Sequence, residues 1–340
     1  MKNKNIGVLK ELLVGQKNIV IIPHTNPDGD AIGSSLALMH VLNRLKHKAD
    51  IVSPNEPPYF LKWTAGFDQI IYFDNDKKVC LSKIQNADII FTLDFNDLNR
   101  IGEMKDLISS SNAKIVMIDH HQNPKDYTDI VFSEPSIGST CELLYEIIIQ
   151  MGYEKVINSR IASCLYLGIM TDTGSFQYSN VSYRTHEIIS KLIGNEINQS
   201  EIHNKVYNDS SISRLKVLGS ALKNLHQIKE LNTAYMFLKR ENLKELDFKK
   251  GDSEGIVNYG LSLKNIIFSV IFIEDMEDIN KIKISFRSQG NFSCNEFAND
   301  HFNGGGHINA AGGIHNGPIQ ETINKFKKVI NKYKNKLTNN

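Results

Sequence analysis

Residues 18–45, NIVIIPHTNPDGDAIGSSLALMHVLNRL, pass from a strand pattern to a helix pattern across one polar turn. Residues 18–22 are a nearly continuous apolar, β-branched run, the mark of a buried strand. Beyond the turn, Ile32, Leu36, Met39 and Leu42 recur at helical spacing. Runs of the same texture return at 49–53, 87–95 and 113–121, and helical stretches follow at 140–151 and 159–170. Strands with uninterrupted apolar bodies suit a parallel sheet covered by helices on both faces. Residues 1–193 therefore predict a doubly wound, mainly parallel α/β domain. Residues 194–227 predict a helical linker, with Leu215, Leu218, Leu222 and Leu225 on one face of its helix. Residues 228–340 predict a smaller α+β domain: strands at 233–238, 265–274 and 281–288, a helix near 294–302, a glycine-rich segment, and a lysine-rich final helix at 322–337.

Composition narrows the class. The chain has 340 residues, 41% of them hydrophobic and 23% charged, with a net charge of +1. That length suits two domains of roughly 150 residues each, and the apolar fraction excludes a disordered or fibrous chain. Near-neutral charge argues against a grip on long duplex nucleic acid, which calls for a basic excess, but leaves room for a local phosphate site. No apolar run reaches the roughly 18–20 residues that span a bilayer, and residues 1–16 lack the apolar core of a signal peptide. Cys80, Cys141, Cys164 and Cys294 lie too far apart for a zinc knuckle or a disulfide framework, so a cytoplasmic location and buried free thiols are expected.

Ligands of open α/β sheets sit outside the carboxyl ends of the strands. The first strand leads into His24-Thr25-Asn26-Pro27-Asp28-Gly29-Asp30. The run at 87–95 brings Asp94, and the run at 113–121 ends in Asp119-His120-His121. The helix at 159–170 leads directly into Thr171-Asp172-Thr173-Gly174. Each residue has an ordinary reading: Asp28 or Asp30 as a helix cap, Asp94 as a turn residue, His24 as a surface histidine. Gathered on one rim, these acids would repel one another unless positive charge sat among them. Two divalent ions would supply it, and carboxylate–imidazole ligation without thiolates suits manganese better than structural zinc. Such a pair lowers the pKa of a bound water and clamps an in-line displacement at phosphorus.

These motifs resemble those of the DHH phosphoesterase family. Residues His24 to Ser34 are similar to its first motif, Leu93-Asp94 to its second, Asp119-His120-His121 to the signature that names it, and Thr171 to Gly174 with Phe176 to its fourth. Gly304-Gly305-Gly306-His307, with Asn309 to Gly313, resembles the DHH-associated domain of the first type. The resemblance spans nearly the whole chain, and two lobes without an added module are similar to the family's cytoplasmic oligoribonuclease (nanoRNase) branch.

The resemblance implies two Mn2+, with Mg2+ or Co2+ as substitutes. His24, Asp28, Asp94 and Asp172 would surround one ion, and Asp30, Asp94, His120 and Asp172 the other, with Asp94 as the bridge. Asp119 would orient an imidazole, and His121 would act at the scissile phosphate as electrostatic stabiliser or proton donor. Arg287, Ser288, Gly304, Gly305, Gly306 and His307 would bind substrate: short RNA oligonucleotides, cut to 5′-mononucleotides, and 3′-phosphorylated nucleotides such as 3′-phosphoadenosine 5′-phosphate. No membrane partner is expected, and the oligomeric state stays open, a homodimer included. A phosphodiesterase for linear or cyclic dinucleotides is the nearest rival, and a nucleotide-binding regulator is the rival outside enzymology. The family often has four glycines before the histidine. Asn303 stands at the first of those positions, and asparagine tolerates left-handed backbone better than other non-glycine residues.

Overall fold

The computed structural model describes residues 3–338, which fall into two compact units, Met1–Asp209 and Ser210–Asn340. In the first unit the strands are β1 (Asn18–Pro23), β2 (Lys48–Ser53), β3 (Ile71–Tyr72), β4 (Ile89–Leu93), β5 (Lys114–Asp119) and β6 (Ile130–Ser133). All pair in parallel, in the order β3-β2-β1-β4-β5-β6. Successive residues of β1 feed opposite faces. Ile19 and Ile21 enter one core and Val20 and Ile22 another, so both faces are covered as the unbroken apolar runs require. The helices are α1 (Asn3–Leu12), α2 (Gly29–Arg44), α3 (Lys77–Gln85), α4 (Lys105–Ser109), α5 (Thr140–Gln150), α6 (Ser159–Asp172), α7 (Tyr183–Ile193) and α8 (Gln199–His203). The larger core takes α2, α5 and α6; the smaller takes α3 and α4. The chain winds outward from β1 one way, then returns to β4 and winds the other way. The crevice of such a sheet opens at the carboxyl ends of β1 and β4.

Two edge strands, β3 and β6, escape the sequence reading, because they are only two and four residues long. The expected linker at 194–227 is not a separate element. Ile197 and Ile202 are buried in the first unit's core. Helix α9 (Ile212–Lys223) buries Val217 and Ala221 against Met236 and Leu238 of the second. The expected leucine stripe is half right: Leu218 and Leu225 pack inward, while Leu215 and Leu222 are 57% and 40% exposed.

The second unit is a mixed sheet in the order β11-β12-β10-β9-β8-β7. Its strands are β7 (His226–Ile228), β8 (Thr233–Leu238), β9 (Phe268–Glu274), β10 (Lys281–Ser288), β11 (Gly305–Gly306) and β12 (Ala310–Asn316). Its further helices are α10 (Arg240–Glu245), α11 (Asn258–Leu261), α12 (Cys294–Phe302), α13 (Ile319–Ile330) and α14 (Lys334–Thr338). The final helix is thus two, divided by a single 3₁₀ turn at Asn331–Tyr333. All four cysteines are free and buried. Among the described residues no helix is long and apolar enough to cross a membrane.

Helices α2 and α6 cross closely because small residues meet there. A methyl on Gly33 would stand 2.5 Å from the Cys164 carbonyl oxygen, and one on Gly168 2.6 Å from Asp30 Oδ1. This crossing brings the start of α2 against the end of α6. Gly33→Ala should force the helices apart and cost about 1–3 kcal/mol, the usual penalty of overpacking. Urea unfolding of the first unit's transition measures it, and an unchanged midpoint would refute the close-approach role.

Candidate metal centre

The rim of the parallel sheet collects the acids and imidazoles of four chain segments. His24 follows β1 directly. Its Nδ1 donates to the Thr25 carbonyl (2.9 Å), which turns Nε2 towards Asp94 Oδ2 at 3.5 Å and Asp28 Oδ2 at 4.0 Å. Asp28 is the N-cap of α2, and its Oδ1 accepts from the backbone of Asp30 (3.0 Å) and Ala31 (3.1 Å). The capping reading was therefore correct and does not compete with a ligand role, since Oδ2 still faces His24.

Asp94 follows β4 directly with φ +65°, a left-handed conformation rare outside glycine and typical of residues held for function. Its carboxylate spans the rim: Oδ2 faces His24, and Oδ1 lies 3.6 Å from His120 Nε2 and 3.7 Å from His121 Nδ1. His120 repeats the logic of His24. Its Nδ1 donates to the Ile137 carbonyl (3.1 Å), and Nε2 lies 3.2 Å from Asp172 Oδ2 and 3.9 Å from Asp30 Oδ2. Asp172 is the last residue of α6, so that helix runs two residues beyond its expected end and carries the acid on a rigid element. His121 Nδ1 donates to Asp119 Oδ1 at 2.7 Å. Asp119 is fully buried, and its Oδ2 has no hydrogen-bond partner. The imidazole that Asp119 orients is thus that of His121.

Burial pushes the carboxyls up. Asp30 rises to about 7, with the charge of Asp94 adding to burial. Asp94 and Asp172 rise to about 6, burial outweighing their bonds to His24 and His120. Burial works against protonated His120, yet Asp172, Asp94 and Asp30 hold its pKa well above the ordinary value. Burial and the neighbouring His120 push His121 well below it. The rim is thus a set of acids that lack enough positive charge.

Among the groups of residues that offer ligand atoms within 4.8 Å of one another are His24, Asp28 and Asp94, and Asp30, His120 and Asp172. Both could hold a metal ion. The donor chemistry fits, because a carbonyl accepts the Nδ1–H of His24 and of His120, so Nε2 faces the acids and is the nitrogen that a cation displacing its proton would take.

In the second unit Arg287 lies on β10 opposite Ala310, half-buried, with Nη1 donating to the Phe286 carbonyl at 2.9 Å. The Ser288 hydroxyl is buried and committed within the unit. It donates to the Phe292 carbonyl (2.6 Å) and accepts from Asn309 Nδ2 (2.8 Å). The glycine-rich segment is not an open loop. Asn303 caps α12 in the left-handed conformation (φ 46°, ψ 47°), as its side chain allows. Gly304 N–H is spent on the Ala298 carbonyl (3.2 Å), and Gly305 and Gly306 pair with β12. A methyl on Gly304 would collide with the Gly312 carbonyl, so glycine there serves strand packing. His307 and Ala310 close the hairpin through His307 N–H and the Ala310 carbonyl (2.7 Å). Asn309 fastens that turn to Ser288, a role with no signature in spacing or periodicity.

Known proteins place the architecture. The DHH family N-terminal domain matches residues 18–169 and the DHHA1 domain residues 216–336. The structure of an exopolyphosphatase-related protein from Bacteroides fragilis is 42% identical, with a TM-score of 0.94, over 98% of this chain and 97% of that one. The chain belongs to the DHH family of phosphoesterases. The bifunctional oligoribonuclease and PAP phosphatase NrnA of Bacillus subtilis is 27% identical to this DHH protein over 296 residues, 86% of this chain and 88% of the relative. The protein of the same name from Thermus thermophilus is 26% identical over 324 residues, 94% and 90% of the two chains.

The raised carboxyls set a pH signature. Below about pH 7 Asp30, and below about pH 6 Asp94 and Asp172, hold protons that an incoming cation must displace. Divalent metal taken up by chelator-stripped protein should release more protons at pH 6 than at pH 8.5, and apparent affinity should climb through about pH 6–7. Calorimetry in buffers of differing ionisation enthalpy reads this directly, and proton release that does not vary with pH would contradict it.

Proposed function

We propose that this DHH protein hydrolyses short oligoribonucleotides to 5′-mononucleotides and dephosphorylates 3′-phosphoadenosine 5′-phosphate in the cytoplasm, with two manganese ions as its cofactor. One observation carries the reading: two adjoining carboxylate–imidazole groups at the sheet's switch point, each with an imidazole whose Nδ1 is tied to a backbone carbonyl and whose Nε2 faces the acids. The substrates are those in the names of the Bacillus and Thermus relatives, which match this chain over most of its length.

His24, Asp28 and Asp94 would hold one ion and Asp30, His120 and Asp172 the other, with Asp94 between them and Asp172 within reach of both. Bound there, the ions would neutralise phosphate charge and make water a stronger acid. The chain's own groups do the rest. Asp119 accepts a hydrogen bond from His121 Nδ1–H, so Nε2 carries the lone pair and is the atom that would exchange a proton at the scissile phosphate. Arg287 is proposed to fork onto a substrate phosphate and His307 to add a donor. Gly304, Gly305 and Gly306 shape the hairpin that carries His307, and Ser288 holds that hairpin through Asn309.

Asp94→Asn should fold as the wild type and lose roughly a thousandfold or more in kcat, because a neutral amide cannot serve both groups. Near-wild-type turnover with manganese present would remove the two-ion reading. Arg287→Ala should raise KM about ten- to a hundredfold with kcat little changed, the mark of lost binding. Steady-state kinetics on a short RNA and on 3′-phosphoadenosine 5′-phosphate test both variants. Cyclic dinucleotide and pyrophosphate run alongside complete the test, and a preference for either would replace the substrate assignment.

A further inference from the structure

Two of the proposed metal-binding carboxylates are fastened to one residue that is itself no ligand. Thr140 is the first residue of α5 and is fully buried. Its backbone N–H donates to Asp30 Oδ2 at 2.6 Å, and the next N–H, that of Cys141, donates to Asp30 Oδ1 at 2.9 Å. Its hydroxyl donates to Asp94 Oδ1 at 2.9 Å. Helix α5 does not need that hydroxyl for its own start. Ser139 is the N-cap, its Oγ accepting from Glu142 N–H at 3.0 Å, and Asp30 takes the two donors before it. The hydroxyl is therefore spent entirely on a carboxylate 46 residues away in sequence.

We infer that Thr140 is a positioning residue: its N–H and hydroxyl together set the orientation of Asp30 and Asp94 for metal binding. The inference rests on the metal-centre reading above. A hydroxyl has one proton to give. Given to Oδ1, it fixes the rotation of the Asp94 carboxylate and leaves Oδ2 facing His24 at 3.5 Å. Asp30, gripped at both oxygens by the start of α5, cannot rotate either. One residue thus holds an acid from each of the two groups, and through them the spacing between the groups. Carboxylates that ligate metals are commonly held in this way by outer hydrogen bonds.

The test compares Thr140→Val, which keeps the shape and the N–H but lacks the hydroxyl, with Thr140→Ser, which restores it. Manganese affinity is measured by calorimetry on chelator-stripped protein, folding by circular dichroism without metal, and kcat and KM on a short RNA at saturating manganese. The valine variant should bind manganese about 10–100-fold more weakly, the usual effect of losing such a bond. Its kcat should fall while KM stays within about twofold, as when an interaction at the reacting centre is lost. Serine should restore both. Should valine prevent folding, Thr140→Ala takes its place, and failure of both to fold would make the hydroxyl a folding group and overturn the inference. Wild-type manganese affinity in a folded valine variant would overturn it too, leaving the metal centre standing. A wild-type protein that takes up no manganese would instead sink the metal reading itself.

Discussion

Four candidate ligand carboxyls, with Asp119 and three imidazoles beside them, crowd the end of one sheet, most of them buried, and much of the first unit's local structure answers that crowding. An ionised carboxylate taken out of water is costly unless hydrogen bonds or opposite charge replace its hydration. Asp28 is answered by the first N–H groups of α2, Asp30 by the first N–H groups of α5, Asp94 by a threonine hydroxyl and an imidazole, and Asp172 by His120. These answers are partial, since burial still lifts three of the four acids well above the carboxylate range. Cations bound among them would complete the balance, so demand for positive charge is built into the fold rather than added by a single loop.

The backbone accepts further cost to hold this arrangement. Asp94 is left-handed, and after Asp172 the chain turns through three consecutive left-handed residues, Gly174, Ser175 and Phe176. Ser175 N–H returns to the Met170 carbonyl at 2.8 Å, and Phe176 N–H to Thr173 Oγ1 at 3.2 Å. Phe176 packs at 6.0 Å from Tyr166 and from His186. A strained turn held by packing and hydrogen bonds keeps the end of α6 where Asp172 must be.

Much of this was legible in residue order. Apolar runs without alternation identify strands buried on both faces, and polar residues placed just past such runs lie on the rim of a parallel sheet. That reasoning found the sheet's central strands and all the acids and histidines of the rim. It missed β3 and β6, whose few apolar residues fall below what a period can reveal, and β12, whose AAGGIHN sequence looks like a loop until it pairs with β10. Thr140, Ser139 and Asn309 were beyond reach for another reason. Their roles exist only as hydrogen bonds to residues distant in sequence, and a lone hydroxyl or amide carries no pattern. The leucines at 215, 218, 222 and 225 differ in burial because helical spacing shows which residues share a face, not how much of that face is covered.

The rim draws on residues from His24 to Asp172, and β1 reaches its neighbour β4 only after β2 and β3 have been laid down on its other side. Pairings so distant in sequence are slow to form. During synthesis, all four acids come together only after half the chain has been made, when α6 can dock on α2. A chain stopped before α6 would lack Asp172, and its β1–β4 crevice would have no helix end to close it. The full set of rim acids is thus a late property of the growing chain, complete only once the end of α6 lies against the start of α2.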